Sequence, residues 1–332
     1  MKVLFIGGTG VISSACSELA LARGIELYLL NRGGSPRRAP EGARLLRADI
    51  RDVAAAGEVL AGHRFDVVVD WIAYRPEHVA ADIALFRGRT GQYVFISSAS
   101  VYQKPLSSLP ITESTLLDNP FWQYSRDKIA CEMLLVKAYR EEKFPFTIVR
   151  PSHTYDRTML PFTGRYTVVA RMRQGKPVIV HGDGTSTWVL THHRDFAKGF
   201  VPLLGNPRAI GETFHITSDE LLTWNQIFTI VARAAGVEQP RLMHVPSEVI
   251  ARYDPEWGAG LLGDKAHSVI FDNSKIKRFV PDFAASTPFA RGAEEILAWY
   301  DADPARQAVD PRLDALMDVM VAAMERIGPA AV

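Results

Sequence analysis

Residues 2–13 read KVLFIGGTGVIS, and this stretch decides the fold. A fully apolar run is followed at once by a glycine-rich turn and then by a segment with the apolar spacing of a helix. Glycines let the backbone approach a pyrophosphate, and the free N–H groups that open a helix hold its charge. Ser13 stands where a third glycine is expected, which leaves slightly less room between helix and sheet. Lying between a strand and a helix, the turn predicts a dinucleotide-binding loop rather than a simple tight turn. The cofactor contacts expected in this loop are Gly7, Gly10, Val11 and Ile12.

The rest of the first half alternates short apolar runs with helical patterns. This alternation predicts an α/β fold, a Rossmann-type doubly wound parallel sheet. Most of the runs are apolar throughout, as expected when helices cover both faces of a sheet. The predicted strands are residues 2–6, 26–30, 43–48, 65–70, 92–97 and 146–150. The predicted helices are residues 11–23, 53–61, 78–87 and 121–141.

We divide the chain into a dinucleotide-binding domain, residues 1–150, and a smaller C-terminal substrate-binding lobe, residues 151–302, interleaved with it. The lobe is expected to hold a short strand at residues 212–216 and helices that open at Thr223 and Asn273. Residues 303–332 form a predicted helical extension with an apolar stripe on one face. The stripe either packs on the chain's own core or docks on a second subunit in a homodimer. Its members are Leu313, Leu316, Met317, Met320, Met324 and Ile327.

Composition narrows the function classes. The 332 residues carry a formal net charge of +1, which offers no excess of base to attract nucleic acid. No apolar run reaches the roughly 18 residues that a membrane span needs. Cys16 and Cys131 lie in apolar helical stretches and are expected to be buried and reduced, which fits a cytoplasmic protein without a leader. His192 and His193 are neighbours that would point apart on a strand, so no metal site is expected.

The end of the second predicted strand bears on the choice of cofactor. It reads Leu30-Asn31-Arg32-Gly33, with no acid to bond the ribose 2′-hydroxyl of NAD. Arg32 could pair with a 2′-phosphate, so NADP is favoured over NAD; the alternative is an ordinary solvated arginine. Asp49 and Ile50, after the third strand, are expected to contact the adenine. Further cofactor contacts are assigned to Asn31, Ala73 and Pro151.

A tyrosine and a lysine open the predicted helix at 121–141. Tyr124 and Lys128 are four residues apart and therefore share one face. A free phenol has a pKa of about 10, and a nearby ammonium would favour its ionised form, so the pair can exchange a proton with a substrate hydroxyl. Ser98 follows the fifth strand, at the sheet edge where ligands of such folds bind. Its hydroxyl can reach the same substrate oxygen.

Together these residues resemble the extended short-chain dehydrogenase/reductases, the NAD-dependent epimerase/dehydratase family. The resemblance runs from Met1 to about Tyr300 and includes the segment Arg150-Pro-Ser-His-Thr-Tyr155. It implies that Tyr124 is the acid/base, that Lys128 lowers its pKa and holds the nicotinamide ribose, and that both therefore contact the cofactor. It implies that Ser98 bonds the reacting oxygen.

Departures from the family pattern bear on the substrate. Members that use nucleotide-diphosphate sugars place an arginine where this chain has Trp188, and a second arginine where it has Leu261. The family's substrate-contacting asparagine is replaced by His153. Without these two arginines, the chain lacks charge-assisted bonds to the diphosphate that would contribute about 1.5 to 3 kcal/mol each. We therefore expect a less phosphorylated sugar or sugar-like polyol. The residues expected to line its pocket are Tyr102, His153, Trp188 and His192.

The residues after Ser98 limit the reaction. The family's 4,6-dehydratases have an Asp-Glu pair there, and this chain has Ala99-Ser100. This favours net oxidation or reduction at a secondary hydroxyl or ketone, or epimerisation, and the sequence does not separate the two. The alternatives are a nucleotide-diphosphate-sugar epimerase or dehydratase, and a non-catalytic nucleotide-binding or RNA-associated protein of the same fold.

Overall fold

A seven-stranded, fully parallel sheet forms the centre of the chain. The computed structural model describes residues 1–34 and 37–327, without the side chain of residue 327. The strands of the sheet are β1 (Lys2–Ile6), β2 (Glu26–Asn31), β3 (Arg44–Arg47), β4 (Phe65–Asp70), β5 (Thr90–Ile96), β6 (Phe146–Pro151) and β11 (Thr213–Ile216). Their order is β11-β6-β5-β4-β1-β2-β3. The order reverses beside β1, which confirms the predicted doubly wound sheet and places a ligand crevice at the carboxyl ends of β1 and β4.

Helices cover both faces of the sheet. The helices of the first half are α1 (Val11–Ala22), α2 (Val53–Val59), α3 (Pro76–Phe86) and α4 (Gln123–Glu142). Alternate residues of β1 enter different cores: Val3 and Phe5 pack with α1, whereas Leu4 and Ile6 pack on the side of α3 and α4. Successive side chains of a strand point to opposite faces, so a strand covered on both sides is apolar at every position.

The strand predicted at residues 212–216 lies elsewhere than expected. It is β11, and it pairs with β6 at the edge of the main sheet instead of building the smaller lobe. Helix α6 (His193–Phe200) also belongs to the sheet unit, where it packs on α1. Sequence distance from the first six strands hid this pairing, because a parallel strand can be added after a long crossover.

The smaller lobe is built from short strands and helices around an aromatic core. Thr223 caps its helix as predicted: the Thr223 hydroxyl accepts from the Gln226 N–H, and the Gln226 side chain accepts from the Thr223 N–H. The strands are β7 (His153–Tyr155), β8 (Val178–His181), β9 (Thr187–Trp188), β10 (Leu190–His192), β12 (Leu222–Thr223) and β13 (Leu242–Val245). The helices are α5 (Tyr166–Arg173), α7 (Trp224–Ala234), α8 (Ser247–Tyr253), α9 (Pro255–Gly260), α11 (Phe289–Asp301) and α12 (Pro311–Ile327). The helix expected to open at Asn273 is α10 (Ser274–Phe279), and it packs on β11 of the main sheet rather than in the smaller lobe.

Helix α12 packs on its own chain. Leu313, Met317 and Met320 are buried in the core of the smaller lobe. The buried Arg171 guanidinium binds the carboxylates of Asp314 and Asp318. The first of the two interpretations of the apolar stripe is therefore the one seen here; the side chain of Ile327 lies outside the described residues.

The two cysteines are placed as expected. Cys16 and Cys131 are buried free thiols, and burial raises the pKa of both. Within residues 1–34 and 37–327, no helix is both long and apolar enough to cross a bilayer.

Candidate active site

The glycines of the loop are required by its backbone conformation and by its close packing on neighbouring residues. Gly7 has a φ of +86°, and a Cβ there would lie 2.8 Å from Ile72. A Cβ at Gly8 would lie 2.5 Å from Leu29 of β2. Gly10 is the N-cap of α1, so the N–H groups of the first helical turn face the crevice. This backbone geometry fits the pyrophosphate of a dinucleotide.

Ser13 completes the loop by hydrogen bonding. Its hydroxyl accepts from the Gly10 N–H at 2.7 Å and donates to the Gly7 carbonyl at 3.0 Å. The side chain is buried, with an exposure of 1%. The expected loss of packing space is therefore offset by two bonds that hold the turn closed.

The end of β2, where the adenosine part of the cofactor is expected, carries a charged pair. Arg32 lies 3.6 Å from Asp49, and its side chain is 75% exposed. The Asp49 carboxylate also accepts from the Arg51 N–H at 2.9 Å. Asp49 and the buried Ile50 come just after β3, which ends at Arg47. Arg32 is thus held at the end of β2 by a single exposed ion pair among the described residues.

Two residues that sequence reasoning missed hold the turn after β4. Asp70 is fully buried and accepts from the Ile72 N–H at 2.6 Å. The Arg51 guanidinium donates to the Ile72 carbonyl at 2.6 Å and lies 3.6 Å from Asp70. Together they fix the backbone that leads to Ala73. A buried acid at a strand end was the available signal, since such groups are kept only when bonded.

Lys128 is anchored between two strand ends. Its ammonium donates to the carbonyl of Ala73 at 2.6 Å and to that of Ile96 at 2.7 Å. It also lies 4.8 Å from the ring centre of Tyr74 and 5.8 Å from that of Tyr124. Burial lowers the pKa of Lys128 to about 8, so the side chain is charged at neutral pH. The cation predicted beside Tyr124 is present.

Tyr124 and Ser98 come together as predicted, with one difference in their electrostatics. Burial raises the pKa of Tyr124, and a hydrogen bond with Ser98 acts in the opposite direction. Burial is the larger of the two effects, and two carbonyls hold the Lys128 ammonium, so the lowering of this pKa by Lys128 stays a prediction. The phenol is therefore protonated at neutral pH. Ser98 is itself positioned by Ser100, 2.9 Å away.

His153 and Trp188 form a direct pair. The Trp188 indole N–H donates to His153 Nδ1 at 3.1 Å, and the Trp188 side chain is buried against Trp224. Burial and the nearby Lys265 lower the pKa of His153 to about 3, so the imidazole is neutral and its Nδ1 can accept. The structure thus brings two of the four predicted substrate residues together.

Tyr102 and His192 are placed differently from that pair. Tyr102 is fully buried; its hydroxyl lies 3.0 Å from His215 Nδ1, and the Arg150 guanidinium covers its ring. His192 packs on Tyr155 and lies 3.3 Å from the Glu295 carboxylate. Both reside in core contacts, which a sequence pattern around a strand end does not reveal.

Lys265 is the main residue of this region that the sequence did not single out. Its ammonium lies 5.5 Å from the ring centre of Trp122 and 5.9 Å from that of Trp188. Trp122 in turn contacts Tyr124, with ring centres 4.9 Å apart. The lysine therefore joins the tyrosine side of the site to the Trp188 side. It follows directly on the Gly-Asp pair at 263–264, which was the available signal.

His192 and His193 do not point apart as expected. β10 ends at the first histidine and α6 begins at the second, which brings the ring centres to 4.7 Å. Even so, the described part of the chain contains no group of three or more His, Cys, Asp or Glu side chains arranged to hold a metal.

The chain is an extended short-chain dehydrogenase/reductase, a class defined by this sheet, its glycine loop and a tyrosine at its edge. A family model of the NAD dependent epimerase/dehydratase family matches residues 3–217, and the chain belongs to that family. It is therefore an enzyme of a group that contains NAD-dependent epimerases, dehydratases and reductases.

Similar proteins span several activities. The chain is 27% identical over 292 residues to the 2'-dehydrokanamycin reductase of Streptomyces kanamyceticus, covering 85% of this chain and 80% of that protein. It is 27% identical to the chloroplast stem-loop binding protein of 41 kDa b of Arabidopsis thaliana, covering 73% of this chain and 65% of that one. The fold matches UDP-glucuronic acid 4-epimerase of Bacillus cereus, solved with UDP-glucuronic acid and NAD, with a TM-score of 0.72, 19% identity and coverage of 91% and 99%.

Proposed function

We propose that the enzyme transfers hydride between NAD(P) and a secondary hydroxyl or ketone of a sugar or sugar-like polyol that carries no nucleotide diphosphate. One observation carries this proposal: Trp188 stands where a phosphate-binding arginine is expected, and it is buried against a neutral His153. An indole and a neutral imidazole provide no cation for a pyrophosphate. They do provide an apolar wall with polar edges, which suits a carbohydrate.

The neighbouring cation does not replace that arginine. Lys265 lies 3.6 Å from the Asp264 carboxylate, which offsets its charge, and an ammonium lacks the planar fork that binds phosphate bidentately. A cavity beside Lys265 has a volume of only about 20 Å³, room for about one water. Bulky aromatic side chains fill this part of the lobe. They are Phe162, Trp224, Phe228 and Trp257.

The residues at the sheet edge fit proton transfer. A bound nicotinamide would supply the hydride acceptor or donor. Tyr124 would exchange the proton of the substrate oxygen, and Ser98 would bond the same oxygen. The protonated Tyr124 phenol can give a proton to a ketone during reduction and take it back from the alcohol during oxidation. The relative from Streptomyces is named as a reductase.

A screen of sugar and polyol substrates, followed by nicotinamide absorbance with NAD and NADP in parallel, tests the proposal. We expect turnover of ketoses or polyols that lack a nucleotide. Calorimetry with UDP- and GDP-sugars is expected to show no tight binding. Tight binding that is lost in Trp188→Ala would contradict the substrate assignment. Cofactor that copurifies and survives dialysis, with no net change in absorbance during turnover, would indicate epimerisation instead.

The choice of dinucleotide gives a separate prediction. We propose NADP as the preferred cofactor because Arg32 is exposed at the ribose end and the end of β2 offers Asn31 instead of an acid. A charge-assisted bond contributes about 1.5–3 kcal/mol, and exposure puts Arg32 at the lower end, so Arg32→Ala should weaken NADP binding roughly tenfold. NAD binding should barely change. Fluorescence titration with both cofactors measures this, with Arg23→Ala at the exposed end of α1 as the control. Tighter binding of NAD than of NADP by the unmodified enzyme would overturn the assignment.

A further inference from the structure

A second cleft lies on the face of the sheet opposite the catalytic tyrosine. It has a volume of about 1260 Å³ and runs between α1, α6 and α11. Helices α1 and α6 share one core beneath the sheet, whereas α4, which carries Tyr124 and Lys128, packs in the other. The cleft is therefore separate from the site where Tyr124 acts.

The walls of this cleft are strongly cationic. Six arginines and three acids line it. Asp156 pairs with Arg37, which is itself one of the six arginines, and Glu295 lies beside His192. Four arginines are exposed to the cleft and, among the described residues, pair with no carboxylate. They are Arg38, Arg157, Arg165 and Arg194.

A partly buried network ties together two of the segments that carry these arginines. The Arg37 guanidinium binds Asp156 at 2.5 Å and the Thr158 hydroxyl at 2.6 Å, which ties the chain before Arg38 to the segment that carries Arg157. The Asp156 pKa is lowered: burial alone would raise it, but bonds from Thr158 and Arg37 outweigh burial. The carboxylate is therefore ionised and can keep its bond to Arg37. This bond holds the backbone segments from which Arg38 and Arg157 extend.

The floor of the cleft adds groups that can bind an organic ligand. Trp299 lines it, with the Arg306 guanidinium 4.5 Å from the indole ring centre. His193 also lines it, and within the described residues its Nδ1 is buried without a hydrogen-bond partner. Like charges that line one cleft repel one another, and an anion between them would relieve that repulsion. The guanidinium fork matches the oxygens of phosphate and carboxylate.

We propose that this cleft binds a small organic polyanion, a molecule with two or more phosphate or carboxylate groups. Its size suits a metabolite better than a nucleic acid helix, and a chain with a net charge of +1 has no excess of base to follow a polymer. Arg37 also donates to the Gly10 carbonyl at 3.3 Å, so the cleft adjoins the back of the glycine loop.

Isothermal titration of the full chain with inorganic tripolyphosphate and with citrate, each in the presence of saturating NAD, tests the proposal. We expect one site for at least one probe, and the tighter probe identifies phosphate or carboxylate as the preferred group. The double variant Arg157→Ala/Arg194→Ala should weaken that binding at least tenfold, and Arg38→Ala should weaken it less. Arg252→Ala, an exposed arginine of α8, is the matched control and should bind normally.

Three outcomes would overturn the proposal. The first is no binding of either probe at millimolar concentration. The second is equal affinity in the double variant, with an unchanged melting temperature showing that the variant is folded. The third is a change of ligand. Binding of the probes that NAD abolishes would mean that the arginines serve the cofactor, and binding of an RNA stem-loop alone would mean that they serve a polymer. None of these outcomes depends on which sugar is the substrate.

Discussion

Replacing Tyr124 with phenylalanine is expected to lower kcat about 10²–10⁴-fold, the usual contribution of a general acid or base. The substitution keeps the ring, its contact with Trp122 and its place above Lys128, and removes only the hydroxyl that bonds Ser98. KM and cofactor affinity should therefore change little. Steady-state kinetics on a substrate from the screen, with a separate NAD(P) titration, measures the two effects.

Tyr139→Phe is the matched control, because this tyrosine lies on the same helix and packs on Phe146 away from the crevice. Turnover that survives Tyr124→Phe would exclude the tyrosine as acid/base.

The dependence of the rate on pH gives a second check. Lys128 has a pKa of about 8, so its positive charge is complete below that pH and lost above it. If reduction uses both side chains, its rate should decline as the pH rises through about 8.

Replacing Glu132 with glutamine is expected to lower the free energy of unfolding by about 3–5 kcal/mol, because it leaves a buried guanidinium without its counter-charge. Arg150 donates to the two carboxylate oxygens of Glu132 at 2.9 and 2.5 Å, and both side chains are at most 5% exposed. This pair joins α4 to β6 just behind the site. Urea denaturation followed by circular dichroism measures the change.

Glu142→Gln provides the control for that experiment. Glu142 ends the same helix and pairs with Arg87, but this pair is exposed and should contribute no more than about 1 kcal/mol. Equal destabilisation by the two substitutions would mean that burial does not determine how much the Glu132–Arg150 pair contributes to the free energy of unfolding. A loss of less than about 1 kcal/mol in Glu132→Gln would mean that the interior accommodates the free guanidinium, against the expected cost.

The elements that the sequence predicted are those whose signals are local. The glycine loop, the first six strands and the four-residue spacing of Tyr124 and Lys128 each lie within one short segment, and the structure places them as expected. The loop contacts of Ser13 and the anchoring of Lys128 by Ala73 depend on atoms that no spacing rule specifies.

The features that the sequence missed arise from chain crossings. β11 joins the sheet only after the chain has passed through part of the smaller lobe, and Lys265 reaches Trp122 across more than a hundred residues. Tyr102 was expected at a substrate pocket because it follows a strand end, but it is buried under Arg150. In these cases the residue type indicated what chemistry a side chain could perform, but contacts between distant parts of the chain decided where that side chain lies.

The two carbonyls that hold the Lys128 ammonium give this side chain a mechanical role. They belong to separate strand ends, Ala73 after β4 and Ile96 at the end of β5, so the ammonium cross-links two neighbouring strands where the crevice opens. Removing it would release both carbonyls and widen that opening. A Lys128→Met enzyme would therefore combine a chemical loss with a change of shape, and its kinetics could not be assigned to the charge alone. The same two bonds hold the lysine in place and tie together the strand ends that border the crevice.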